Sequence, residues 1–181
     1  MNSINRITAA AALAALLMAA PLRADQTPAR NVLSQSGLEQ QVRHALVTQP
    51  FYSLYDDMNY KVNGTNVTLT GKVLNPVLKS DAEAAVKRIP GVGQVVNQIE
   101  VLPLSPFDNR VRRTVYLTLF SSNSPLFRYG LGADPSIHII VENGHVTLTG
   151  TVSSAADKTM ATHFVSGLYG LFSVTNDLTV S

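Results

Sequence analysis

The segment Val67-Thr68-Leu69-Thr70-Gly71-Lys72-Val73 returns 79 residues later as Val146-Thr147-Leu148-Thr149-Gly150-Thr151-Val152, and the offset holds without a gap to the end of the chain. Lys79 falls on Lys158, Ala82 on Ala161, Val86 on Val165, Gly91 on Gly170, Val95 on Val174, Asn97 on Asn176 and Val101 on Val180. Two copies are too few for a solenoid, which needs about three. A tandem pair of small homologous domains fits instead, each burying a core of its own.

Each copy reads as helix, strand, strand, helix, strand. In the first, Leu38, Val42, Ala45 and Leu46 recur at helical spacing, with Ser36 and Glu39 in capping-box register and Pro50 as the stop. Phe51, Tyr52, Leu54 and Tyr55 then fold over a core edge. Residues 58–62 and 67–73 alternate as strands around an Asn63-Gly64 turn. Gly71 falls on the packed face, where it predicts close approach of a helix backbone. Asn75-Pro76 opens a helix with Leu78, Ala82, Ala85, Val86 and Ile89 inward, and Pro90-Gly91 ends it. A last strand over 94–101 places Val95, Asn97, Ile99 and Val101 on one face.

The second copy repeats the order: a helix over 107–121, a longer connection, strands at 137–141 and 146–152, a helix over 155–167 and a strand over 174–180. The expected class is α+β: two tandem sandwiches, each with two helices on one face of a three-stranded sheet. The divisions are 1–24 as a signal peptide, 25–35 as a flexible lead-in, 36–102 and 107–181 as domains, and 103–106 as a Pro-bearing linker. The apolar run after Arg6 is shorter than the roughly 18 residues a membrane span needs. Its alternative is a retained N-terminal anchor.

Charge narrows function. The chain has 14 basic and 12 acidic residues, and Arg6 and Arg23 leave with the signal, so the remainder is neutral. That argues against a nucleic-acid partner recruited by global charge. Cysteine is absent, so neither disulfides nor a lipid-bearing cysteine support the chain.

Catalytic patterns are missing. His44, His138, His145 and His163 lack metal-ligand spacing and read as surface residues. Asp56-Asp57 marks a loop-to-strand boundary. Gly91-Val92-Gly93 ends a helix, which is the wrong place for a dinucleotide loop. No cofactor is called for. Asn97 and Asn176 occupy inward strand positions, so each amide needs hydrogen bonds; a bond pinning a nearby turn is the structural role, and a ligand contact the alternative. Gly91 and Gly170, like Gly71 and Gly150, are structural. The Thr-rich outward sheet faces are solvated or, alternatively, pack copy against copy.

The functional candidates lie in 110–129. Arg110, Arg112 and Arg113 cluster in one helical turn, and Phe120, Leu126, Phe127, Arg128 and Tyr129 follow. Cations beside aromatic rings suit an anionic membrane surface. Alternatively Phe120, Leu126 and Phe127 complete a core and the arginines are solvated.

The repeated "VTLTG-V" strand, the turn glycine, the helix with spaced alanines (Ala82, Ala85; Ala161) and the closing Gly91-Val92, Val95, Asn97, Ile99, Val101 pattern resemble the BON domain (bacterial OsmY and nodulation domain). The second copy departs at Gly170-Leu171-Phe172 and in its longer connection. The resemblance implies a non-catalytic, periplasmic envelope protein that binds phospholipid or membrane surfaces and serves envelope integrity or osmotic stress. In a dual-domain lipoprotein relative the second domain's first helix meets anionic lipid; here that helix carries Arg110, Arg112 and Arg113. Lacking the lipoprotein cysteine, the chain looks like the soluble type. Envelope proteins are further partners, and a protein-binding or chaperone-like module is the rival reading.

Overall fold

The computed structural model describes residues 35–132 and 134–181; the expected signal peptide, and the lead-in up to residue 34, lie outside them. The protein is α+β, with the same unit built twice. The first comprises α1 (Gln35–Val47), β1 (Asp57–Asn63), β2 (Asn66–Val73), α2 (Pro76–Lys87), β3 (Val95–Asn97) and β4 (Glu100–Val101). The second comprises α3 (Pro106–Phe120), a 3-10 turn (Phe127–Gly130), β5 (Ile137–Glu142), β6 (His145–Val152), α4 (Ala155–Ser166), β7 (Ser173–Asn176) and β8 (Thr179–Val180). Each sheet is mixed: a hairpin pairs β1 with β2 and β5 with β6 antiparallel, while the strand after the second helix returns parallel.

The two cores are separate. One joins Leu38, Val42 and Leu46 of α1, Leu78, Ala82 and Val86 of α2, and the inward strand residues Val67, Leu69 and Val73. Both helices therefore cover one face of the sheet. The other core repeats this with Val115 and Leu119 of α3, Ala161 and Val165 of α4, and Val146, Leu148 and Val152. α2 begins as expected, the Asn75 side chain accepting from Val77 N at 3.0 Å. Ser36, in contrast, lies inside α1 rather than capping it. The first hairpin turn is Gly64-Thr65, one residue later than Asn63-Gly64, because Asn63 pairs with Asn66 as the last rung. Glycine at the first central position, with φ +61°, is what a type II′ turn requires.

Gly71 and Gly150 do a different job from the one expected. They have φ of +119° and +113°, and a β-carbon at either would collide with the backbone carbonyl of Asp57, at the start of β1, or of Ser136, the residue before β5. The close approach is strand on strand, not helix on strand. At the same level the third strand breaks. β3 ends with Asn97 opposite Leu69, and β4 resumes in the same register with Glu100 opposite Lys72. The break shifts the inward parity: Ile99 and Leu102 are buried, whereas Val101, expected inward, is exposed. The second copy breaks likewise between Asn176 and Thr179, opposite Gly150.

Asn97 and Asn176 span these breaks. Each donates from Nδ2 to a helix carbonyl, Lys79 O at 2.7 Å and Lys158 O at 2.8 Å. Each accepts at Oδ1 from the backbone N–H two residues on, Ile99 or Leu178, at 3.1 Å. One amide thus replaces the lost ladder bond and ties the strand to its helix, satisfying groups that would otherwise cost about 1–3 kcal/mol unpaired.

The copies also pack together. Leu54 and Tyr55, from the α1–β1 connection, rest on the second core. The Leu54 carbonyl accepts from Ile139 N at 2.8 Å, occupying the outer edge of β5. His138 and Ile140 point away from the second core yet are buried; the Tyr52 ring lies 5.8 Å from the His138 ring. His138 is therefore not a surface histidine. Ion pairs Arg43–Asp134 and Lys72–Glu142 join the copies. Burial, reinforced by Asp134, Asp57 and Asp56, pushes the Tyr52 hydroxyl above its ordinary range. The Thr-rich outward face of the second hairpin is thus only partly open to solvent: Thr147 and Thr149 line a cavity of about 500 Å³ together with Asp57, Lys72 and Ile140.

Gly71→Ala or Gly150→Ala should cost on the order of 2–4 kcal/mol, combining positive-φ strain with a backbone clash. Gly91→Ala has the same sign of φ but open space around it, so it should cost only about 1 kcal/mol. Denaturant unfolding of the three variants checks the contrast.

Candidate functional site

The residues expected to form one basic and aromatic surface divide into two groups. Phe120, Leu126 and Tyr129 belong to the second core. Arg112 is only 3 % exposed: its guanidinium donates to the Val141 carbonyl and to Asn109 Oδ1, and its Nε is buried without a partner. Burial lowers its pKa from the ordinary guanidinium value, against the opposing pull of Asp108, Asp56 and Tyr55. These four side chains are buried in the second copy rather than displayed on its surface. The second copy's longer connection accounts for this, since it returns Leu126 and Tyr129 to the core.

Tyr129 stands in for an acid of the first copy. There, Asp56 is buried and accepts from Leu74 N at 2.7 Å, fixing the end of β2. In the second copy the Tyr129 hydroxyl accepts from Ser153 N at 2.9 Å, the equivalent amide, and donates to Asp157 at 2.9 Å. Asp157 also accepts from Ser154 Oγ and from Arg128. The Ser154 and Tyr129 hydrogen bonds, with Arg128 beyond them, hold its carboxyl below the usual range. Arg128 is exposed but committed: it pairs with Asp157 and stacks 4.6 Å from the Tyr129 ring. Phe127 is partly exposed.

What remains open is one end of the second copy. Ser105 caps α3, accepting from Asp108 N at 3.1 Å. Asp108, wholly buried, turns inward to accept from Asn143 N at 3.0 Å and Gly144 N at 2.8 Å. Asn143 and Gly144 both have positive φ, as a type I′ turn demands. The carboxylate thereby fastens the β5–β6 turn to the start of α3. A β-carbon on Gly144 would lie 2.7 Å from the Phe172 ring and 2.9 Å from that of Phe107. The two rings sit over this glycine with centroids 6.2 Å apart.

Arg110 lies 5.9 Å from the Phe107 ring centroid. Phe107, Arg110, Tyr169 and Leu171 line a shallow depression of about 250 Å³. Arg110 and Arg113 are exposed and form no ion pair among the described residues. Asp108 faces inward, and Glu142, beside the turn, is paired with Lys72, so the unpaired Arg110 and the aromatic rings share this end. Phe107, Tyr169 and Phe172 were not among the expected residues. The signal for the last two was present where the copies depart, Tyr169 and Phe172 standing at the positions of Pro90 and Gly93.

Gly91 and Gly170, which follow the second helix of each copy, have φ of +95° and +85° with open space around them. Among the described residues no cluster of His, Asp or Glu is arranged to hold a metal ion, and no helix is long and apolar enough to cross a membrane.

The fold defines a duplicated α+β domain protein whose second copy carries a basic, aromatic end. The family model of the BON domain matches residues 34–103 and 128–181, and the chain belongs to the BON domain family. A search among curated proteins gave no match. Among solved structures, the chain is similar to CdsD, a structural protein of the type III secretion system of Chlamydia trachomatis. One CdsD structure shows 14% identity and a TM-score of 0.32, covering 80% of this chain and 92% of that one. Its C-terminal domain gives the same identity and score over 82% and 100%. Likeness at this level carries no argument about this chain.

Asp108→Ala strands two turn amides and should cost about 2 kcal/mol in denaturant unfolding. Asp157 titrates below its unfolded value, so its contribution is present above the ordinary carboxylate range and lost as pH falls through the lowered folded value. Asp157→Asn should therefore be less stable at neutral pH and flatten the acid limb of a stability–pH profile.

Proposed function

We propose that the protein is a non-catalytic periplasmic envelope protein that binds anionic phospholipid surfaces reversibly through its second copy. The observation that carries this is Arg110, exposed, 5.9 Å from the Phe107 ring centroid and without an acidic partner among the described residues, with Arg113 also exposed and unpaired on the same helix. Such cations are drawn to an anionic leaflet, each contributing about 1 kcal/mol near the surface. The BON family's association with phospholipid binding supports the reading, as does its non-catalytic character. The periplasmic assignment rests on the signal-like segment 1–24 and the absence of cysteine. Roles in envelope integrity or osmotic stress are part of this reading, supported by the resemblance to the BON family.

Co-sedimentation with vesicles containing phosphatidylglycerol tests it. Binding at low salt should weaken as salt screens the charges, and Arg110→Ala/Arg113→Ala should lower affinity about tenfold or more. Arg112→Ala should instead appear as lost stability. Binding that ignores salt and the double substitution excludes the patch; suppression of client aggregation without lipid affinity points to a protein-binding module.

A further inference from the structure

We propose that the α4–β7 loop inserts its rings Tyr169 and Phe172, beside Phe107, into the headgroup–acyl boundary of a packed bilayer, so that the partner is a lipid surface and not a soluble anion. This deepens the phospholipid reading and rests on it.

The duplication supplies an internal comparison. In the first copy the loop reads Pro90-Gly91-Val92-Gly93; in the second it reads Tyr169-Gly170-Leu171-Phe172. Both loops follow the same helix and turn through a glycine of positive φ, so neither ring is needed to make the bend. Nor does the core require them: Leu171, like Val92, packs against its core, while Tyr169 is fully exposed and Phe172 is 73 % exposed. Solvent exposure of two rings is unfavourable, and on a soluble domain such a cluster marks a contact surface.

The mounting is firm. Phe172 rests against Phe107 and, at 5.7 Å, against His145. The turn beneath is held by both oxygens of Asp108, and Phe172 N donates to the Gly144 carbonyl at 2.9 Å. In the first copy the same backbone bond runs from Gly93 N to the Thr65 carbonyl, but Thr65 stands where the second copy has Gly144 and Gly93 where it has Phe172, so no ring lies over that turn. Leu104, 94 % exposed, precedes Phe107 by three residues. Rings projecting beside the unpaired Arg110 match the interface of an anionic bilayer, where aromatic residues settle at headgroup level and cations stay in the phosphate layer. A soluble phosphate would use the arginines and leave the rings in water.

The chain has no tryptophan, so Tyr169→Trp, Phe172→Trp and Pro90→Trp each install a single reporter. With vesicles of phosphatidylglycerol and phosphatidylcholine, the reporters at 169 and 172 should blue-shift and be quenched by brominated acyl chains. The reporter at 90 should do neither. Glycerol phosphate should shift none of them. Tyr169→Ala and Phe172→Ala, with circular dichroism confirming the fold, should each weaken vesicle binding roughly tenfold. Quenching at either loop position supports insertion. If the protein co-sediments with vesicles but neither reporter is quenched, insertion is overturned and the phospholipid reading stands. Absence of co-sedimentation overturns both, and equal responses to glycerol phosphate and vesicles overturn the bilayer as partner.

Discussion

The central strand of each sheet depends on a residue without a side chain. At Gly71 and Gly150 a carbonyl at or just before the start of the neighbouring strand occupies the space a β-carbon would need, and the backbone takes a positive φ. That turn re-aims the strand, and the parallel ladder lapses at the same level in both copies. The amides of Asn97 and Asn176 then repair the gap and pin it to α2 and α4. Glycine, break and asparagine form one device, which explains why the three recur together at the repeat spacing.

On this shared frame the copies diverge where they meet other things. The end of the central strand is held by a carboxylate, Asp56, in one copy and by a phenol, Tyr129, in the other. Both accept from an equivalent amide, so the same requirement is met by unlike residues arriving from unlike connections. The loops after α2 and α4 diverge more freely. They face solvent, and there the second copy gained rings that its core does not use.

Much of the frame was legible from periodicity, because buried helix and strand faces repeat apolar residues at set spacings. The Asn75 cap and the inward Leu and Val sets followed from that rule. The strand breaks did not, since a positive φ at Gly71 leaves no trace in hydropathy. Within the arginine cluster, Arg112 misled for a related reason. Charge suggests exposure, but the long side chain of Arg112 reaches a buried carbonyl that no local pattern reveals. Phe120 and Leu126 were ambiguous because apolar side chains serve cores and surfaces alike, and Tyr129 was expected only at the surface although a phenol can be buried once its hydroxyl is bonded. The open end, by contrast, could have been found by asking where the second copy carries rings that the first replaces with Pro90 and Gly93.

The Leu54 carbonyl on Ile139 ties the first copy to the outer edge of the second. An outermost strand with bare amides invites pairing with another molecule, and here the connection out of α1 shields that flank of β5 from within the same chain. Duplication produced two like units, and one backbone carbonyl of the first now covers part of an edge that the second would otherwise leave bare.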